Sequence, residues 1–238
     1  MNVSHDVMMH GASNTFLIHF GDETPENLLR NHQDVDGLLV VKNDDIADAS
    51  MRIYNANGLE AEQCGNGLRC VALHLVRNRM VDGNHVRIKT LSGINPCVVT
   101  EGCNEVAVTL SKPIVQKTRI DAYPNLKFVD MGNPNAVFWT EEDPLEIREQ
   151  LGKKLCNLPD FKLGMNVHFA RLDEEQYATC ASWERGVGPT DASGTGGASV
   201  FVTSGKQGTF YVSSVGGTLH YHFDDNGNVV LAGPASYV

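Results

Sequence analysis

The chain has 238 residues, a formal net charge of −10 and 42% hydrophobic residues. That is enough to bury a sizeable core, as one large domain or two of roughly 110 residues each. The acidic balance argues against a nucleic-acid or anionic-membrane partner, and no apolar run is long enough to span a bilayer.

The opening residues, Met1 to Asp6, lack the basic and apolar regions of a signal peptide, so a cytoplasmic location is expected. The six cysteines (64, 70, 97, 103, 156 and 180) are then expected to be reduced. They form no Cys-x-x-Cys step and have no companion histidine cluster, so no metal is expected.

In chain order, the pattern predicts a strand over 15–20, a helix over 25–31, and strands over 37–42 and 49–55. A Gly-rich turn at Cys64 then leads into a helix running to about Met80. Strands follow over 86–90, 97–100 and 106–110, separated by the turn signals Ser92-Gly93 and Glu101-Gly102. Lys112-Pro113 reads as a linker, because proline favours an extended segment before it. The theme then repeats, with strands over 127–130 and 136–140, a helix over 144–153, and strands over 167–170 and 176–183. A second Gly-rich turn at Ser193 opens another helix. Strands over 209–215, 217–223 and 228–231 close the chain, the last two joined by the hairpin signal Asp224-Asp225-Asn226-Gly227.

The two Gly-rich turns are the informative feature. Residues 63–70 (Gln-Cys-Gly-Asn-Gly-Leu-Arg-Cys) superpose on 192–199 (Ala-Ser-Gly-Thr-Gly-Gly-Ala-Ser) at a constant offset, with Cys64 over Ser193, Gly65 over Gly194 and Gly67 over Gly196. The offset holds upstream, where Tyr54-Asn55 falls over Trp183-Glu184. One such turn is ordinary; two at a fixed offset imply two related halves. Glycines let the backbone approach a ligand closely, and the free N–H groups of a helix start suit a carboxylate. The same positive end lowers the pKa of a cysteine placed there from about 8.5.

These residues resemble the diaminopimelate epimerase family. The family's Cys-Gly-Asn-Gly-x-Arg-Cys turn is matched by Cys64 to Cys70, and its Asn-Ala-Asp-Gly-Ser-Glu by Asn55-Ala-Asn-Gly-Leu-Glu60. Its opening Gly-x-Gly-Asn-Asp-Phe resembles Gly11-Ala-Ser-Asn-Thr-Phe16. Met131-Gly-Asn-Pro134, Met165-Asn166 and Trp183-Glu-Arg-Gly-Val-Gly188 follow in the family's order.

The resemblance implies an α/β (α+β) fold of two pseudo-symmetric domains, each a mixed β-sheet wrapped around a central helix. The expected domains are 1–112 with 234–238, and 113–233, with the active site in the cleft between them. It implies a cofactor-free, metal-free, two-base epimerisation of LL-diaminopimelate to meso-diaminopimelate, a lysine and peptidoglycan precursor. One thiolate removes the α-proton while a thiol opposite delivers a proton to the other face, in a closed, water-excluding site.

Matched residue by residue, the resemblance implies that Cys64 is the first base and that Ser193 stands where the second belongs. Glu184 supports that second base, and Asn135 falls where the family has the histidine paired with the first cysteine. The implied substrate-binding set is Asn14, Asn55, Gly65, Asn66, Asn133, Asn166, Glu184, Arg185, Gly194 and Thr195. The partner is a small amino acid, with no nucleic acid or membrane, and the family's habit is a homodimer formed through the first domain.

Three departures stand out. Ser193 replaces a cysteine, and a neutral hydroxyl is a far poorer base than a thiolate, with no histidine adjacent in sequence to activate it. Asn135 cannot titrate. Leu59 and Asn57 replace the serine and aspartate of the upstream loop. Ser193 is compatible with a laboratory substitution as well as with divergence, whereas Asn135 and Leu59 read as divergence. Alternative readings are a racemase of another amino acid, a single-base isomerase or dehydratase of the same superfamily, and a non-catalytic amino-acid-binding homologue.

Overall fold

The computed structural model describes residues 5–100, 102, 105–161 and 164–238; Glu101 of the expected turn and Cys103 lie outside the described residues. The chain forms two compact units, residues 1–109 with 232–238, and residues 110–231.

In the first unit, β1 (His5–Gly11) and β2 (Asn14–Phe20) form an antiparallel hairpin. Its two turn residues, Ala12 and Ser13, carry φ of 52° and 63°, the left-handed pair that a two-residue hairpin needs. Helix α1 (Pro25–Asn31) crosses to β3 (Gly37–Lys42), which lies parallel to β2 and antiparallel to β4 (Ala49–Asn55). β4 pairs with the short β5 (Glu60–Ala61) and, across helix α2 (Gly65–Arg77), runs parallel to β6 (His85–Thr90). β7 (Gly93–Val99) and β8 (Glu105–Thr109) continue antiparallel.

The second unit repeats this plan. β9 (Ile114–Gln116) flanks the antiparallel pair β10 (Leu126–Asp130) and β11 (Pro134–Trp139). Helix α3 (Pro144–Cys156) crosses to β12 (Asn166–Glu174), which is parallel to β11 and antiparallel to β13 (Tyr177–Glu184). β13 pairs with β14 (Gly188–Thr190) and, across helix α4 (Gly194–Ser204), runs parallel to β15 (Phe210–Ser214), which in turn pairs with β16 (Gly217–Phe223). β17 (Val229–Pro234) and β18 (Ser236–Tyr237) complete the chain, with β18 laid antiparallel on β1. Each unit is thus a mixed α/β sheet, and from the first hairpin to the pairs β6–β7 and β15–β16 the sense of each step matches between the two.

Helix α2 is buried along its whole first three turns, Gly65 to Leu75, as expected of a helix wrapped by sheet rather than lying on a surface. Helix α4 is buried from Gly196 to Phe201 and stops at Gly205, whose φ of 72° is the usual left-handed helix stop. The second unit's core gathers Leu126, Phe128, Ile147, Leu155, Val167 and Phe169 between α3 and the sheet.

Several short strands escape sequence patterning. β1 carries two histidines, an aspartate and two methionines and a single β-branched residue, Val7, and it is made a strand by pairing on both sides. β5, β9, β14 and β18 are too short to show a period. α2 ends at Arg77, before the expected Met80, because the Asn78 side chain and backbone N–H both turn back to the His74 carbonyl.

Gly152 of α3 faces Trp183 so closely that an added Cβ would lie 2.5 Å from the ring. Gly152→Ala should therefore destabilise the protein by about 1–3 kcal/mol through overpacking. Chemical denaturation would measure this, and an unchanged midpoint would show that the ring can move aside.

Candidate active site

The two Gly-rich turns fold alike. Cys64 caps α2 with φ −147° and ψ 103°, and its Sγ accepts a hydrogen bond from the Gly67 N–H at 3.3 Å. Ser193 caps α4 with φ −136° and ψ 117°, and its Oγ accepts from the Gly196 N–H at 3.2 Å. In each case the third residue is a glycine where the helix start presses on the strand beneath. A Cβ on Gly67 would sit 3.0 Å from the Leu39 methyls, and one on Gly196 would collide with the His168 ring. Neither first turn holds an acidic residue, so their N–H groups and positive dipole ends are of the kind that suits an anion.

Around Cys64 the polar groups are chained. The Arg69 side chain is fully buried and donates from Nη1 to Asn66 Oδ1 at 3.0 Å and from Nε to the Pro234 carbonyl at 3.3 Å. Because a guanidinium only donates, Asn66 must present its oxygen to it and its Nδ2 to Asn14 Oδ1, 2.6 Å away. Asn14 is left with its amide nitrogen as the outward donor. Asn55 closes β4 half-buried; its N–H bonds the Leu59 carbonyl, so Asn57 and Leu59 sit exposed at the tip of the loop.

The second unit holds a longer chain. Asn133 Nδ2 donates to Thr195 Oγ1 at 3.2 Å, and Asn135 Nδ2 donates to both the carbonyl and the Oδ1 of Asn133, at 2.7 and 2.8 Å. Asn135 Oδ1 faces His168 Nε2 at 3.0 Å and Asn166 Nδ2 at 3.5 Å, while Asn166 Oδ1 accepts from the Arg185 N–H at 3.0 Å. Asn135 is therefore no proton-transfer group as placed here: it is 1% exposed and both its amide hydrogens are held by Asn133. Asn166 is likewise buried, whereas Asn133, Glu184, Arg185, Ser193, Gly194 and Thr195 are half-buried and reachable.

Glu184 is packed among enough protein to lose solvation, which raises its carboxyl above the usual range, and a hydrogen bond from the Ser193 hydroxyl partly offsets that rise. Sequence patterning missed His168. It lies two residues after Asn166 on the same face of β12, and the parallel and antiparallel registers bring it under the Ser193 turn. Complete burial holds its pKa down to about 3, so the ring is neutral.

Solved structures share this architecture. A PhzF-family phenazine biosynthesis protein of Bacillus anthracis matches with a TM-score of 0.75 at 16% identity, over 99% of this chain and 97% of that one. A hydroxyproline epimerase of Agrobacterium vitis, with trans-4-hydroxy-L-proline bound, matches with a TM-score of 0.69 at 14% identity, over 99% and 90%. At such identities these likenesses define the fold alone. The family model for diaminopimelate epimerase matches residues 7–115 and 127–238, and the chain belongs to that family. The diaminopimelate epimerase of Bacillus subtilis (strain 168) is 30% identical over 277 aligned residues, covering 100% of this chain and 98% of the relative. That of Desulforudis audaxviator is 34% identical over 266, covering 97% and 95%.

Among the described cysteines only Cys64 is half-exposed; Cys70, Cys97, Cys156 and Cys180 are buried. Burial pushes the thiols of Cys70, Cys97 and Cys180 up to about 12. Iodoacetamide should label Cys64 first among these, and peptide mapping that found Cys70 or Cys180 labelled ahead of it would contradict this assignment.

His168 also makes an acid-stability prediction. The unfolded imidazole takes a proton near its ordinary 6.5, but the folded one not until about 3, so folding stability falls as pH drops through that window. The slope from this group approaches ~1.4 kcal/mol per pH unit. Melting curves should show a shallower loss between those pH values in His168→Leu than in the parent protein.

Proposed function

We propose that the protein epimerises LL-diaminopimelate to meso-diaminopimelate without a cofactor, with Cys64 and Ser193 addressing opposite faces of the α-carbon. The observation that carries this reading is the duplicated cap: one thiol and one hydroxyl in the same backbone conformation, each at the start of a buried helix. Family membership and the names of the relatives support it. In this reading the two halves, drawn at 1–112 with 234–238 and at 113–233, close on the substrate. The amides of Gly65, Asn66, Gly194 and Thr195 hold its α-carboxylate. Asn133 joins Thr195 at the carboxylate, Asn14, Asn55, Glu184 and Arg185 take the amino and distal groups, and Asn135 and Asn166 align them. The enzyme works in the cytoplasm as a homodimer.

The proton inventory balances. The Cys64 thiolate takes the α-proton and becomes a thiol. Ser193 gives its hydroxyl proton to the opposite face of the carbanion and regains one from Glu184, which ends as a carboxylate. Desolvation moves the Glu184 carboxyl above its usual range, toward the acid this step needs, and the Ser193 hydroxyl, which donates to that carboxyl, must turn its hydrogen to the carbanion and accept the Glu184 proton for the relay to run. Reversal runs the same path backwards. A second reading, a one-base isomerase, is favoured by the weak basicity of a lone serine hydroxyl.

Incubation with LL-diaminopimelate in deuterated water separates these readings. Inversion with α-deuterium supports epimerisation, exchange without inversion supports one working base, and binding without exchange leaves a binding protein. Ser193→Cys should raise the epimerisation rate, by as much as ~100-fold. A Ser193→Cys rate unchanged from the parent's on every stereoisomer would refute the two-base assignment.

In Glu184→Gln the proton route through Ser193 is cut. The variant should lose about two orders of magnitude in kcat with a smaller change in KM. Steady-state kinetics would check this, and a kcat within threefold of the parent would remove Glu184 from the relay.

A further inference from the structure

The two units answer one structural question differently. Beneath the Cys64 turn lies Leu39, flanked on the neighbouring strands by Phe16 and Ile53, all buried and apolar. The matching ladder positions beneath the Ser193 turn are Asn135, His168 and Ser182, buried to the same degree and polar. Phe16 pairs with Gly37 as Asn135 does with Asn166, and Leu39 pairs with Ile53 as His168 does with Ser182. The fold is therefore satisfied with hydrocarbon under such a turn, and polar groups there cost free energy unless every one is bonded. All three are bonded, and the chain they form ends at the mouth of α4.

The direction of that chain is fixed. The Asn133 carbonyl can only accept, so Asn135 must point its Nδ2 there and its Oδ1 at His168. His168 therefore carries its hydrogen on Nε2, and its Nδ1, 2.9 Å from Ser182 Oγ, accepts the serine hydroxyl. Asn135 in turn gives a hydrogen to Asn133 Oδ1, which leaves the Asn133 amide nitrogen facing Thr195.

We infer that His168, as its Nε2–H tautomer, is a positioning residue that locks Asn133 and Thr195 in the donor orientation the α4 turn needs to hold a carboxylate. This rests on the proposed epimerase reading of that turn. His168 touches no substrate; it acts through Asn135. Without its N–H, Asn135 Oδ1 keeps only the long contact to Asn166, so the Asn135 amide, its sense still set by the Asn133 carbonyl, is anchored at one end only and holds the Asn133 amide less firmly against a flip toward the carboxylate.

The test compares His168→Leu, the residue the other unit uses, with His168→Gln, whose amide can still donate to Asn135. With LL-diaminopimelate, His168→Leu should raise KM about tenfold or more, as for a lost charge-assisted hydrogen bond, with kcat within about threefold. His168→Gln should recover KM to within about threefold of the parent. Unchanged KM in His168→Leu, or equal losses in both variants, would overturn the inference.

A second measurement needs no substrate. Nitrogen-15 NMR of the ligand-free parent should show a neutral Nε2–H ring at pH 5, with distinct Asn133 and Asn135 side-chain amide signals that average in His168→Leu. An Nδ1–H ring, or amide signals indifferent to His168→Leu, would defeat the inference while leaving the epimerase reading intact. Absence of diaminopimelate turnover alongside the expected NMR pattern would defeat the epimerase reading alone.

Discussion

A buried helix start pressed onto a strand is the constraint on which the rest of this protein depends. At Gly67 and Gly196 the backbone lies so near the side chain below that no Cβ fits without displacement. The same glycine supplies the N–H that reaches back to Cys64 Sγ or Ser193 Oγ. Close approach and capping are thus one requirement met by one residue. The reward is a cluster of main-chain donors in a poorly solvated place, where a negative charge is worth more than it would be in water.

Donors are useful only if they point the right way, and amides can flip. Each unit solves this with a group whose hydrogen-bonding sense is fixed. In the first unit it is the Arg69 guanidinium, which can only donate and so orders Asn66 and then Asn14. In the second it is the Asn133 carbonyl, which can only accept and so orders Asn135 and then the His168 tautomer. Both arrangements bury polar groups, and both avoid the penalty by leaving each of these asparagines bonded.

The units differ in what lies beneath their caps. The half with a thiol keeps an apolar floor of Phe16, Leu39 and Ile53, while the half with a hydroxyl has a polar one. A serine is a weak acid and base alone. Its neighbour Glu184, raised by desolvation and bonded to it, is the group able to change charge there.

Much of this was legible in the sequence. The offset between Cys64 and Ser193 fixed the duplication, because a Gly-rich helix start has few alternatives at those positions. A continuous apolar, β-branched run marked the strand at 37–42, and Pro144 marked the start of α3. What only tertiary structure decided was which polar residues meet. Asn135, His168 and Ser182 lie on three strands separated by up to 47 positions in sequence, and parallel pairing across a helical crossover leaves no local signature of register. For the same reason β1, polar in sequence, became a strand only through its partners on either side, and Asn135, which motif position marks as catalytic, proved to be buried with its amide hydrogens held by Asn133.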